Sequence, residues 1–421
     1  MSSTPHTTLG PEEPIVVVGA GIMGCSAAFH LLRSGARHVT LIDATEPGGG
    51  TTPAGAGFVS LWAAGEFPLG RSGIELERYG LEFYRELATS GADIGYRSNG
   101  NLVLALSDAG AGGRPASILS HSEASPGTRW LSPEEVHARA SVIAPDAIVG
   151  AALMPSGIQV NAGQAVQAIK QLVADAGGTI LEAAPVEGFV AAQGRVRSVR
   201  TPAGDIDAAG VVIAAGAWTN QILGHLDRWL PLVRVVATRI VTDDVGVPAT
   251  LPTVQCPEAG LWIREMDGAF TWGTVAGYEP AYLFEQREDA LGWGRPRSER
   301  LLGQVLDTQP AISKIFPRLR DAGVNSWLQG IVTYTADQRF CIGHVSGLDN
   351  AVVVAGDNES GVSHGPGMGR AGAELVRGEP PFVDLEPFLP DRFAAANLST
   401  EEAVARHRAS TQGRLPGFES E

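Results

Sequence analysis

The stretch Pro14–Ala44 reads PIVVVGAGIMGCSAAFHLLRSGARHVTLIDA, and its parts decide the fold. Ile15–Val18 is a short apolar run with the β-branched content of a buried strand. Gly19, Gly21 and Gly24 follow in G-x-G-x-x-G spacing and open a helical pattern over Ile22–Arg33. A second strand, Val39–Ile42, runs into Asp43 and Ala44, Asp43 lying nineteen positions after Gly24. In such a strand–turn–helix one glycine makes the turn, one admits a pyrophosphate against the backbone, and one lets helix and strand pack closely. The helix N-terminus offers unpaired N–H groups and partial positive charge to phosphates. Asp43 stands where an acid accepts hydrogen bonds from a ribose. A Gly-rich turn in an ordinary βαβ unit shares the glycines, but strand, helix and acid together favour dinucleotide binding. The motif alone does not separate NAD from FAD.

The composition narrows the class. Of 421 residues 44% are hydrophobic and 18% charged, which suits a soluble globular chain with two cores or one large interleaved core. The net charge is −15 and only Lys170 and Lys314 are lysines, so a nucleic-acid-binding face is not expected. The same scarcity excludes a Walker-type phosphate loop, which needs a lysine after its glycine. Cys25, Cys256 and Cys341 are too few and too scattered for a disulfide framework or a metal site, and a cytoplasmic location fits. Cys25 reads as a small buried thiol. Met1–Glu13 is polar and acidic, reads as a disordered leader, and lacks the pattern of a signal peptide. No apolar run approaches the roughly 20 residues of a membrane span.

Further along, PGGGTTPAGAGFVSLWAAG (47–65) is a Gly-rich loop entering an apolar segment, and small residues there permit close approach of a bulky ligand. Gly73–Thr89 reads as an amphipathic helix, Ala92–Ser107 as short strands, and Gly110–Pro115 as a loop. Ser132 caps a helix with Pro133 at its first position. A helix over Ala162–Ala176 precedes strands that end in Val211–Ala215 and Gly216-Ala217-Trp218, a second candidate ligand contact. Leu230–Thr242 and Leu261–Tyr278 read as sheet strands, Arg297–Phe316 as a helix, and Ala351–Gly356 as a buried strand. DNESGVSHGPGMGRAGAELVRG then forms a second Gly-rich strand-to-helix junction, its helix starting near Pro366. In the tail, Ser399 and Glu402 suggest a capping box.

Two such junctions at opposite ends of a chain must meet in one site. A long, two-ended flavin dinucleotide suits that arrangement, with a helix N-terminus beside the ring to favour negative charge on reduced flavin. The sequence resembles the D-amino-acid-oxidase-type FAD oxidoreductases, the family of glycine oxidase, sarcosine oxidase and dimethylglycine dehydrogenase. The resemblance runs from Pro14 to about Phe393 and rests on VVVGAGIMGCSAAFHL…VTLIDA, GTTPAGAGFV, VVIAAGAW, YTADQRFCIGHV and VVVAGDNESGVSHGPGMGRAGAELV. GLWIREMDGAFTWGTVAGYEP is most similar to the dimethylglycine/sarcosine dehydrogenase branch, whose folate-binding region this chain does not reach.

The resemblance implies an α/β (α+β mixed) fold: a Rossmann-type FAD-binding domain assembled from residues 14–90, 151–225 and 325–378. A substrate domain on a largely antiparallel sheet would come from 91–150 and 226–324, with 379–421 as a tail. It implies FAD contacts at Gly19, Gly21, Ile22, Met23, Gly24, Asp43 and Ala44, and at Thr51, Thr52 and Gly57. Val186 would hold adenine through its backbone, Ala215, Gly216 and Trp218 would line the middle of the cofactor, and Gly330, Asn358, Glu359, Ser360 and Gly361 the ring.

Departures from the family pattern matter as much. Ala54 replaces a histidine, and Gly330 a cysteine, through which relatives link flavin covalently, so non-covalent FAD is expected. Val332 stands at the arginine of glycine oxidase, Ala237 at a histidine of the dimethylglycine branch, and Val275 at or near the lysine that activates oxygen in sarcosine oxidase.

The implied chemistry is hydride transfer from a carbon beside an amine nitrogen to flavin N5, giving an imine. The substrate is an amine or amino-acid-like molecule, and oxygen or another acceptor takes the electrons. Arg264 and Arg239 are candidates for a carboxylate clamp, or else belong to a surface or inter-strand ion pair, with Glu265 adjacent. Tyr278, Tyr334 and Trp262 form an aromatic wall for the amine or simply pack. His364 donates to ring or substrate, or is structural, and Asp357 and Glu359 bind a cationic amine or ribityl hydroxyls. Two alternatives stand beside amine oxidation: a flavin oxidase or dehydrogenase acting on a specialised intermediate, and a flavin-holding subunit of a hetero-oligomer.

Overall fold

The computed structural model describes residues 8–60, 69–393 and 398–411. Its organising sheet has the strand order 341–344, 351–355, 210–213, 15–18, 39–42, 179–181. Its strands run parallel except at the 341–344 edge, which is antiparallel to Ala351–Ala355. Ile15–Val18 sits in the middle and is buried on both faces, as an uninterrupted apolar run requires. Its side chains alternate between two cores. Ile15 and Val17 pack under the helices Ile22–Arg33 and Gly361–Val376. Val16 and Val18 face Phe189, Val196 and Val199 of a three-stranded antiparallel layer, residues 188–207. That period of two is the pleat of the strand.

The helices Ile22–Arg33 and Gly361–Val376 lie in close contact because small residues face each other. A Cβ on Gly369 would fall 2.5 Å from the Met23 carbonyl oxygen. The second helix begins at Gly361, five residues before the expected start, and carries Pro366 inside it. A proline there has no N–H for the carbonyl four residues back. That carbonyl, Val362 O, instead accepts the Tyr84 hydroxyl at 2.8 Å. Tyr84 comes from the amphipathic helix Gly70–Thr89, so the repair of one helix docks another.

The second large sheet orders strands 279–280, 232–244, 269–274, 261–266, 253–256, 101–105, 150–154 and 129–131, with Val324–Thr335 pairing along Leu232–Asp244. It is antiparallel except where Thr253–Cys256 runs beside Asn101–Ala105. Gly150–Met154 and Val324–Thr335 therefore belong to this sheet, although both were expected at or inside the borders of the cofactor unit. An apolar strand does not announce which sheet it will join.

Other local differences have local causes. Leu261–Met266 and Ala269–Thr274 are a hairpin turning at Asp267-Gly268, both at positive φ. The helix expected over Arg297–Phe316 is two, Glu299–Leu306 and Gln309–Ile315, broken where Pro310 cannot continue the hydrogen-bond ladder. The Gly110–Pro115 loop contains the ends of two short helices, Asp108–Ala111 and Arg114–Ser120. Ser132 forms a full capping box with Glu135. The C-terminal helix, Glu401–Thr411, is capped by Thr400 Oγ1, which accepts from Ala403 N at 3.2 Å, rather than by Ser399. Of the expected leader, residues 1–7 lie outside the described residues, whereas Leu9 is buried and its N–H donates to Arg377 O. Residues 61–65 of the Gly-rich loop likewise lie outside them.

Candidate functional site

Above the carboxyl ends of strands 15–18, 39–42 and 210–213, and against strands 232–244, 261–266 and 324–335, lies a cavity of about 490 Å³. It is the crevice that a topological switch point provides, since the chain leaves Ile15–Val18 toward opposite sides of the sheet. At its first end Gly19 adopts φ +97° and a Cβ there would fall 2.5 Å from Ala214 O. Gly24 is the packing glycine: a Cβ would collide with Gly19 O, and Gly24 does not itself line the cavity. The N-cap residue Gly21 supplies no side-chain acceptor to the helix, and Thr52 Oγ1 accepts from Ile22 N at 3.1 Å.

Asp43 is held by three donors, Ala20 N (2.7 Å), Thr45 N (2.8 Å) and Thr45 Oγ1 (2.9 Å), and lines the cavity beside Ala44. Gly19, Gly21, Ile22, Met23, Thr51, Thr52, Gly57, Val186, Ala215, Gly216 and Trp218 are also on its wall. Thr51 clips this loop to the second sheet, its Oγ1 donating to Ile331 O at 2.8 Å and accepting from Ile331 N at 3.0 Å. Cys25, by contrast, is buried beneath the junction and bonded to Ala20 O.

The second junction closes the other end, where Gly330, Asn358, Glu359, Ser360 and Gly361 join the wall. Asp357 and Glu359 separate into different roles. Asp357 caps the helix, accepting from Gly361 N at 2.9 Å and from Thr333 Oγ1 at 3.1 Å. Glu359, at φ +68°, turns its carboxylate to the cavity, where Tyr334 Oη donates to Oε2 at 2.7 Å and Tyr278 Oη donates to Oε1. Trp262 Nε1 in turn donates to Tyr278 Oη at 3.1 Å. The surrounding protein raises the Glu359 pKa by desolvation, against the pull of the two hydroxyls. The same surroundings and the nearby carboxylate push both tyrosines well above their ordinary range, so they stay donors.

Two expected catalytic residues are elsewhere. Arg264 does not line the cavity. Its Nε donates to Ala56 O at 2.5 Å, Nη1 to Glu265 O at 2.8 Å and Nη2 to Val160 O at 3.4 Å, so it braces the loop around Gly57 from behind. Burial, and the like charge of Arg239, lower its pKa to about 9. His364 is also off the wall, buried on the helix with its ring 4.8 Å from that of Phe340, and burial lowers its pKa to about 4. It is a neutral packing residue. Helical periodicity turns it into the core, which a loop reading of that segment could not show.

Arg239 does line the cavity, only 6% exposed, with Nη2 donating to Pro53 O and Nη1 to Thr271 Oγ1, both at 2.9 Å. Its Nε is buried with no partner among the described residues, and burial lowers its pKa to about 10. The positions singled out as departures from the family pattern, Ala54, Ala237, Val275, Gly330 and Val332, are all on the same wall. So are Arg114 and Arg408, which sequence reasoning missed. Arg114 sat in a turn signal and Arg408 in a tail helix outside every matching motif, so only the fold could bring them in.

Cradle, acid and two-ended cavity, lined from both ends of the chain, fit a flavin dinucleotide. The chain belongs to the FAD dependent oxidoreductase family (DAO), which it matches over residues 14–375. It is similar to 4-methylaminobutanoate oxidase (formaldehyde-forming) of Paenarthrobacter nicotinovorans, 27% identical over 98% of this chain and 49% of that protein. It is similar also to mitochondrial dimethylglycine dehydrogenase of Mus musculus, 24% identical over 93% of this chain and 45% of that one. The chain thus spans about half the length of these relatives. Among solved structures, glycine oxidase from Geobacillus kaustophilus superposes with a TM-score of 0.78 at 22% identity, covering 91% of this chain and 99% of that one, a likeness of fold.

Proposed function

We propose that this protein oxidises a C–N bond of an amine or amino-acid-like substrate, with N-methylated amines as the preferred class. The observation that carries the proposal is Glu359, a cavity carboxylate gripped by Tyr278 and Tyr334 beside the Trp262 ring. A carboxylate flanked by aromatic faces is a receptor for an alkylammonium cation. Both relatives named above carry methylated amines in their names.

Bound FAD, held by the Gly19–Gly24 junction, Asp43, the Thr51–Gly57 loop and the Asn358–Gly361 junction, supplies a two-electron acceptor. The protein's own work is binding and proton handling. The reactive amine needs a free lone pair, so a proton must leave the ammonium nitrogen, and the Glu359 carboxylate accepts it. The raised pKa of Glu359 makes it a better acceptor than an ordinary surface carboxylate. Tyr278 and Tyr334 hold the carboxylate in one orientation in both protonation states, since a hydroxyl can turn to donate or accept. The aromatic faces displace water from the reacting nitrogen.

FAD is held without a covalent bond. Ala54 offers no nucleophile, and a Cβ at position 330 would lie 2.9 Å from both Ala54 Cβ and Thr51 Cγ2, so that site is closed to a linking side chain. Oxygen or another acceptor removes the electrons without help from a lysine on the described wall. Lys170 pairs with Glu182, and Lys314 lies on the helix Gln309–Ile315. Turnover of an N-methyl amine should release an aldehyde after hydrolysis of the imine, detected by carbonyl trapping. Absence of any trapped carbonyl across secondary and tertiary N-methyl amines would refute the reaction.

A further inference from the structure

We infer that the C-terminal helix Glu401–Thr411 completes the substrate pocket, with Arg408 on it binding a substrate carboxylate, so that the amine oxidised is an amino acid. This deepens the amine reading above and rests on it for the identity of the site.

The helix is fastened along one face. Arg234 Nε donates to Glu401 Oε1 at 2.5 Å, and Val404 and Ala405 pack in one cluster with Val233, Val235, Tyr278, Val332 and Tyr334. Positions 401, 404, 405 and 408 share a helical stripe, so the contacts that dock the helix also carry Arg408 inward. Arg408 is 7% exposed and lines the cavity. Its Nη1 donates to Thr335 O at 2.9 Å and to Asn358 Oδ1 at 3.0 Å, and its guanidinium stands 4.8 Å from the centre of the Tyr334 ring. Among the described residues Nε and Nη2 have no hydrogen-bond partner, and no carboxylate lies within ion-pair distance.

A guanidinium taken so far out of water without an anion is costly. The arrangement makes sense if the anion arrives with the substrate. Tyr334 ties the two charges together, its ring under Arg408 and its hydroxyl on Glu359. An ammonium at Glu359 and a carboxylate at Arg408 therefore flank one tyrosine, the complement of a zwitterion. Arg239 fits this role less well, because both of its Nη atoms already donate to protein oxygens, Pro53 O and Thr271 Oγ1. Guanidinium pairs carboxylate in a fork that an amide cannot reproduce.

The test uses FAD-loaded full-length protein and ligands that cannot be oxidised as amines. Methoxyacetate and 4-methoxybutanoate are titrated against their neutral amides, with flavin difference absorbance and calorimetry as readouts. At least one carboxylate should bind wild type clearly more tightly than its amide. Arg408→Gln should weaken that carboxylate about 10- to 100-fold and leave the amide unchanged. Arg408→Lys should restore part of the loss. Equal binding of carboxylate and amide by wild type, or equal weakening of both by the Gln variant, would overturn the assignment, and the wild-type comparison needs no variant to fold. The probes contain no amine nitrogen. Carboxylate binding through Arg408 in a protein that no amine reduces would refute the reaction alone, whereas amine turnover with no carboxylate preference would refute this site alone.

Discussion

Replacing Glu359 by glutamine removes the negative charge on which amine recognition depends while keeping size and shape. Each carboxylate oxygen now accepts one tyrosine hydroxyl. Glutamine keeps one acceptor and turns an NH₂ toward the other tyrosine, which must then accept. Tyr278 already accepts from Trp262 Nε1, so one buried O–H is left seeking a partner. For substrate, the change turns a charge-assisted hydrogen bond into a neutral one. Such bonds contribute about 1.5–3 kcal/mol, or roughly 10- to 150-fold in affinity.

Glu359 is exposed toward the cavity, and water there competes for it, so the expected fall in kcat/KM is about 10- to 30-fold. The pH profile is the sharper readout. An acid with raised pKa stays protonated to higher pH, so wild-type kcat/KM for a secondary amine should climb on a limb lying above the ordinary carboxylate range. That limb should vanish in Glu359→Gln. For stability the sign is opposite to a salt-bridged acid: a folded pKa above the unfolded one makes Glu359 cost stability as pH rises through that window. Steady-state kinetics with N-methyl amines between acid and neutral pH checks both. An unaltered kcat/KM and an unaltered acidic limb in the variant would refute the role of Glu359.

Other sites give independent outcomes. Asp43→Ala deprives Ala20 N and both Thr45 donors of their acceptor together with the ribose, and FAD should bind about 10- to 100-fold more weakly by fluorescence titration. Tyr84→Phe leaves Val362 O without the hydroxyl that replaces the missing Pro366 N–H. Denaturant unfolding of the holoprotein should show a loss of about 1–3 kcal/mol.

Much of this architecture was legible because it follows periodicity and glycine geometry. The strand Ile15–Val18, the helix after it and Asp43 stand at their expected places, since each follows from a local rule. Non-local decisions were not legible. The assignment of Val324–Thr335 to the large sheet depends on a partner about ninety positions earlier in register. The start of the helix Gly361–Val376 is not legible because Pro366 reads as a first-turn residue, and its compensation, Tyr84, is remote in sequence. At the site, glycines and small residues announced the wall of the cavity, whereas charged residues gave no sign of direction. Arg264 and Arg239 lie in the same sheet on strands that flank Ala269–Thr274, yet one braces the backbone and the other faces the cavity. Arg408 reaches that wall only because Glu401, Val404 and Ala405 dock its helix.

The direct trial is anaerobic mixing of the FAD-loaded protein with an N-methylated amino acid while the oxidised flavin band is followed. Bleaching by the amine, and none by its N-acetyl derivative, which lacks both cation and free lone pair, is the predicted outcome. A flavin that stays fully oxidised with every secondary and tertiary amine offered, or a chain that takes up no FAD, would contradict it.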